Sequence, residues 1–339
     1  MREGRRLALR ALGAAFLAPL PAFAQKRRRV VVVHFDDPKG WGSFMDDLRR
    51  SLAQLGFADG REIGIRAEGI VVTGAKPGPE SVARQIREQV LPLEPDVIVT
   101  TGAIMSYVMS LATRTVPVVA HAPDPVAAGF AKSVARPGGN FTGLADGLDE
   151  TAPKSVEILR RLVPRAKRVA VFHEPRPVSK KVAAYYEKAA RDVGLEPVMI
   201  ASTEQDELLA ALRGLPARRI DSAIWMAFVH PRKVAEAALA ARVPVIGQDH
   251  EGTRFGCLAS YAGYEPDPVP KLARAVAQIL RGANPGDIPF QLPQQFRFAI
   301  NRRTAGALGI VIPADLLVRA DTVFDDWPDG RPASQEMNR

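Results

Sequence analysis

The chain has a single cysteine, Cys257, so no internal disulfide can support its fold. Phe255, Gly256, Leu258 and Ala259 surround it and predict a buried strand, where a lone thiol acts as a small apolar residue. Histidine is scarce as well. The five residues show neither H-x-H nor H-E-x-x-H spacing, which argues against a metal site. The G-x-S-x-G elbow, the G-x-x-x-x-G-K-[ST] loop and the G-x-G-x-x-G turn are all missing, so no hydrolase nucleophile and no cofactor is implied. Pro137-Gly138-Gly139 is glycine-rich but reads as a turn, because no Lys and Ser or Thr follow it. Aromatic residues make up only 6%, which leaves the cores to Ala, Val, Leu and Ile.

The first 24 residues read as an export signal. Arg2, Arg5, Arg6 and Arg10 form a basic start, Leu7 to Leu20 is apolar, and Ala22-Phe23-Ala24 is a cleavage site. The apolar run is shorter than the roughly 18 residues a membrane span needs, and no second long one follows. Arg5-Arg6 partly resembles a twin-arginine signal; the general secretion route is the other reading. Cleavage near Ala24 predicts an exported mature protein, and the resemblance given below implies the periplasm as its destination. The net charge of +9 then falls to +6, since the signal holds four Arg and one Glu. Lys26 to Arg29 supply four more positive charges, so the folded body is near +2. That weakens a nucleic-acid reading, which wants a basic face on the folded body itself.

Hydrophobic patterning predicts an α/β protein. Val30 to Val33 is short, β-branched and continuously apolar, like a parallel strand buried on both faces. Phe44, Leu48, Leu52 and Leu55 then recur at helical spacing up to Gly56. Strands follow at Ile63 to Ile70, Val97 to Val99 and Val116 to Ala120, with helices at Pro79 to Val90 and Ile104 to Ala112. The alternation restarts after a helix at Pro153 to Leu162, with strands at Arg168 to Phe172, Glu196 to Ala201, Ser222 to Met226 and Val243 to Ile246. The pattern predicts two doubly wound parallel-sheet lobes of similar plan.

In such sheets ligands bind beyond the carboxyl ends of the strands. The first lobe's strand-end loops carry Asp36 and Trp41, Thr101 and Gly102, then His121 and Asp124. Those of the second carry Glu174, Trp225 and Asp249. If the two edges face each other, carboxylates can receive an ammonium, helix N-termini an anion, and an indole an apolar group. Each residue also has a plainer role. Asp124-Pro125 is a common turn starter, Asp36-Asp37 a helix cap, and Trp225 a core side chain.

The stretch DPVAAGFAKSVARPGGNFTG, Asp124 to Gly143, resembles a signature segment of the ABC-transporter substrate-binding proteins of the tryptophan/tyrosine-binding type. Leu55-Gly56-Phe57 with Gly60, Pro95 to Val99, Ile279 to Pro285, and Ile300-Asn301 through Pro313 resemble further motifs of that family, in order. The resemblance implies a periplasmic-binding-protein fold of type I-like plan with its lobes joined by a hinge. The expected lobes are 28–145 plus 263–323, and 146–262, with a disordered tail over 325–339. It also implies a monomer that binds a small solute, an amino acid or aromatic carboxylate, and delivers it to an ABC permease in the inner membrane. A sensory protein for a membrane kinase and a periplasmic enzyme on the same fold remain as alternatives. The loops Glu174 to Pro177 and Trp225 to Phe228 depart from the family pattern.

Overall fold

A computed structural model of the chain describes residues 27–35, 38–70, 78–226, 230–248 and 250–327. Five strands, β1 (Arg28–Phe35), β2 (Ile63–Ile70), β3 (Val97–Thr101), β4 (Val118–Ala122) and β5 (Phe141–Ala145), form an all-parallel sheet in the order β2-β1-β3-β4-β5. The valine run of β1 explains its central place. Val30 and Val32 enter one core and Val31 and Val33 the core on the opposite face, as a period of two requires. Helices α2 (Pro79–Gln89) and α3 (Ala103–Ala112) bury Val82, Ile86, Met105 and Met109 on one face. Helix α1 (Pro38–Gln54) buries Leu48 and Leu52 on the other.

The second lobe repeats the plan. After α4 (Leu148–Leu162) come β6 (Arg168–His173), α5 (Pro177–Asp192), β7 (Glu196–Ala201), α6 (Gln205–Arg213), β8 (Ser222–Trp225), α7 (Pro231–Ala241), β9 (Val245–Gly247), α8 (His250–Phe255) and β10 (Ala259–Tyr264). The order β7-β6-β8-β9-β10 reproduces that of the first sheet. Helix α4 starts five residues before Pro153, so this proline lies inside the helix and forgoes the hydrogen bond its nitrogen would otherwise give to Asp149 O. Cys257 is buried just ahead of β10 rather than within it.

The chain then returns to the first lobe. Helix α9 (Pro268–Leu280) packs Leu272, Val276 and Ile279 into the core that contains Val30 and Leu48. The chain crosses back again to β11 (Gln295–Asn301), α10 (Arg302–Leu308), α11 (Ala314–Arg319) and β12 (Thr322–Phe324). Strand β11 pairs antiparallel with β10, and β12 parallel with β11, so both extend the second sheet. Of the segment 263–323 expected in the first lobe, β11 to β12 instead join the second sheet. Their backbone groups are satisfied by β10, on the other lobe.

The expected disorder from 325 onward also begins too early. Trp327 is buried, its Nε1 donates to Thr304 Oγ1 at 3.3 Å, and Arg303 lies over its ring at 4.2 Å. Among the described residues no helix is long and apolar enough to cross a membrane.

Candidate functional site

Three crossings join the lobes: Ala145 to Leu148, Tyr264 to Pro268, and the segment from Ile288 into β11. The first and third are hydrogen-bonded to one another. Ala145 N donates to Gln291 O at 3.0 Å, and Gln291 N to Gly143 O at 2.8 Å. A cavity of about 210 Å³ lies among them, lined by His121, Asp146, Tyr264, Glu265 and Pro293. His121 Nε2 stands 2.9 Å from Asp146 Oδ1. His121 thus belongs to the crossings rather than to the interlobe cavity described next.

The carboxyl ends of both sheets enclose a second cavity of about 120 Å³. From the first lobe it receives Ala103 and Ile104 at the start of α3, then Ala122 to Asp124, Ala128 and Phe130. From the second it receives Glu174, Val178, Ser179, Val182, Met226 and Gln248, with Leu148 from the first crossing. The wall is mainly apolar, and its volume is near that of the ~150 Å³ engineered cavity that admits benzene.

Local geometry explains how each element reaches the cavity. Gly102 has φ +87°, a conformation that side chains disfavour, and it turns the chain from β3 straight into α3. Its N–H bonds His121 O at 2.9 Å, which fixes the turn against β4. Thr101 and Gly102 thus abut the cavity through the turn, while Ala103 and Ile104 line it. Asp124 is buried, and its Oδ1 accepts the N–H groups of Val126 at 3.0 Å and Ala127 at 2.7 Å. This is a side-chain-capped turn, so the turn role of Asp124-Pro125 is realised while its carboxylate still reaches the cavity. Across the cleft, burial first and then the hydrogen bond to Asp124 push the Tyr185 hydroxyl up to about 12.

Glu174 lines the second-lobe wall and pairs with Arg176 at 3.4 Å. Gln248 Nε2 donates to the Tyr186 hydroxyl at 2.5 Å, and burial pushes that hydroxyl up to about 12. Trp225 is not at the cavity. It is buried in the second lobe's core, 5.5 Å from Phe172 between ring centroids, and Met226, just past the strand end, faces the cleft instead. Asp36 and Asp249 lie outside the described residues, as does the side chain of Trp41. Among the described residues no group of three or more His, Cys, Asp or Glu side chains is placed to hold a metal.

Phe130, Val178 and Val182 lie outside the strand-end loops marked in the sequence. Gln248 sits beside Asp249 in one of those loops. The two valines belong to α5, where their spacing shows an apolar face without showing what it meets.

Two doubly wound lobes, three crossings and a shared cavity between carboxyl ends define a two-lobe solute-binding protein. The chain belongs to the ABC transporter substrate binding protein family, whose model matches residues 46–324. A tyrosine-binding protein of Clostridioides difficile (strain R20291) is 26% identical over 272 residues, covering 76% of this chain and 74% of that one. Among solved structures, a conserved domain protein from Vibrio cholerae shares 24% identity with a TM-score of 0.73, covering 88% of this chain and 100% of the other. An ABC domain from Streptococcus pneumoniae in complex with L-Trp shares 21% identity with a TM-score of 0.72 and the same coverages.

Proposed function

We propose that the protein is the periplasmic solute receptor of an ABC importer, exported with cleavage near Ala24 and closing its lobes over one small solute. The cavity shared by both lobes carries this reading. A solute that touches Ile104 and Phe130 on one side and Val178 and Met226 on the other makes all its contacts only when the lobes meet. It therefore shifts the open–closed equilibrium toward closed by its differential affinity for that state. The permease in the inner membrane then recognises the closed shape.

The wall chemistry favours a solute with an apolar or aromatic body. The N–H groups at the start of α3 suit a carboxylate, and Glu174 suits an ammonium. This fits the ligand named for the tyrosine-binding relative and the L-Trp of the pneumococcal complex. The test is thermal denaturation with L-tyrosine, L-tryptophan, other amino acids and aromatic carboxylates. A bound solute at a hundred times its Kd adds about 2.7 kcal/mol. No shift with any amino acid or aromatic carboxylate would remove this solute class.

A further inference from the structure

The turn after β4 touches both lobes. Ala127 and Phe130 are three residues apart and both buried, yet they enter different cores. Phe130 packs with Phe141 of the first lobe, ring centroids 4.7 Å apart. Ala127 packs in the second lobe's cluster with Leu148, Val182 and Ala183. The turn is rigid. Asp124 Oδ1 accepts the N–H groups of Val126 and Ala127, while Pro125 O accepts those of Phe130 at 3.2 Å and Ala131 at 3.1 Å. It is also anchored behind, where Phe290 N donates to Val134 O at 2.9 Å. Opposite it stands Tyr185 of α5, packed against the same cluster as Ala127 and with its hydroxyl facing the Asp124 carboxylate. Neither Ala127 nor Tyr185 lines the solute cavity.

We propose that Ala127 and Tyr185 form an interlobe clasp, which sets how much of the protein is closed before any solute arrives. The clasp rests on the lobe motion proposed above. Its physical content is the burial of Ala127 in the second lobe's cluster and of the Tyr185 ring against the same cluster, both lost when the lobes part. Solute binds productively to the closed form, so apparent affinity scales with the closed fraction. Weakening the clasp lowers affinity for every solute by one common factor. A change in the cavity wall alters solutes unequally.

The test uses spin labels on the purified protein, at Glu88→Cys on α2 and Lys188→Cys on α5, both exposed positions on opposite lobes. Distance distributions are recorded without solute, then with L-tyrosine and L-tryptophan, in this background and with Tyr185→Phe or Ala127→Glu added. The expected result is a closed population without solute that falls severalfold relative to open in Tyr185→Phe, which removes the hydroxyl that faces Asp124. Affinities for the two amino acids fall by the same factor, and Ala127→Glu acts in the same direction. Distances that close with solute but are unmoved by either variant overturn the clasp and leave the lobe motion intact. A single distance unchanged by solute and variant alike overturns both.

Discussion

Gly263, the next-to-last residue of β10, stands so close to Pro293 that a Cβ on it would lie 2.5 Å from Pro293 Cγ and 2.8 Å from Asp146 O. Gly263, one residue before the second crossing, therefore meets a residue from each of the other two without space for a methyl group. Gly263→Ala must separate the crossings. The expected outcome is a loss of about 1–3 kcal/mol, the usual cost of overpacking a tight site. Chemical denaturation measures the loss, and solution scattering detects the accompanying change in lobe disposition. A variant as stable as the parent, with unchanged scattering, would show that the crossings yield freely.

Ala128 lines the solute cavity and is only half-buried, so a larger side chain there has an outlet toward solvent. Ala128→Phe occupies space otherwise left for solute. Calorimetric titration with L-tyrosine or L-tryptophan should show affinity down more than about tenfold, since each displaced apolar contact is worth on the order of 1 kcal/mol. The melting temperature without solute should change little. Full affinity in this variant would place the solute elsewhere.

Stability should fall as pH rises above the ordinary tyrosine value of 10.0. Tyr186 is fully buried and Tyr185 faces Asp124, and both hydroxyls are raised to about 12. Below 10.0 the folded and unfolded chains both hold these protons, so stability does not depend on them. Between 10.0 and about 12 the unfolded chain releases protons that the folded chain retains, and the folded state loses ground. For buried Tyr186 the loss is on the order of 2–3 kcal/mol, and Tyr185 adds in the same direction. Urea denaturation across that window checks the slope. Tyr186→Phe should flatten it, and an unchanged slope would assign it to other groups.

Trp327 closes the chain's end over α10, next to Gly256, whose Cβ would lie 3.2 Å from Trp327 Nε1. Trp327→Ala should cost about 3 kcal/mol, the low end for truncating a buried aromatic residue. Truncation after Asp326 should cost the same. Denaturation curves that superimpose on the parent's would return residues 325–327 to a dispensable tail.

Much of the architecture was readable because burial on both faces leaves a plain mark. Val30 to Val33 and Arg168 to Phe172 each announce a central strand, and each proved to be one. Pairing beyond neighbouring strands left no such mark. Nothing in Arg297 to Ile300 says that β10, rather than a strand of the first lobe, will accept its hydrogen bonds. Helix α8 is six residues long, too short for a period to show. At the cavity the difficulty was orientation. Trp225 and Met226 are adjacent, yet one fills the core and the other meets the cleft, because consecutive side chains leave opposite faces of a strand. Tyr185 and Tyr186 divide similarly on α5, one toward Asp124 and one toward Gln248. Which neighbour looks outward depends on the register of the whole lobe.

The return of the chain to each lobe governs the order in which the molecule can be completed. The first sheet ends at Ala145, but its core lacks Leu272, Val276 and Ile279 until residues beyond 280 have been synthesised. The second sheet waits for β12 at Thr322–Phe324. During most of translation, then, the ribosome carries a polypeptide with no finished domain and many distant contacts still to make, which slows folding. The valine-rich strands of both lobes therefore wait, each with part of its core missing, until the last strand is delivered.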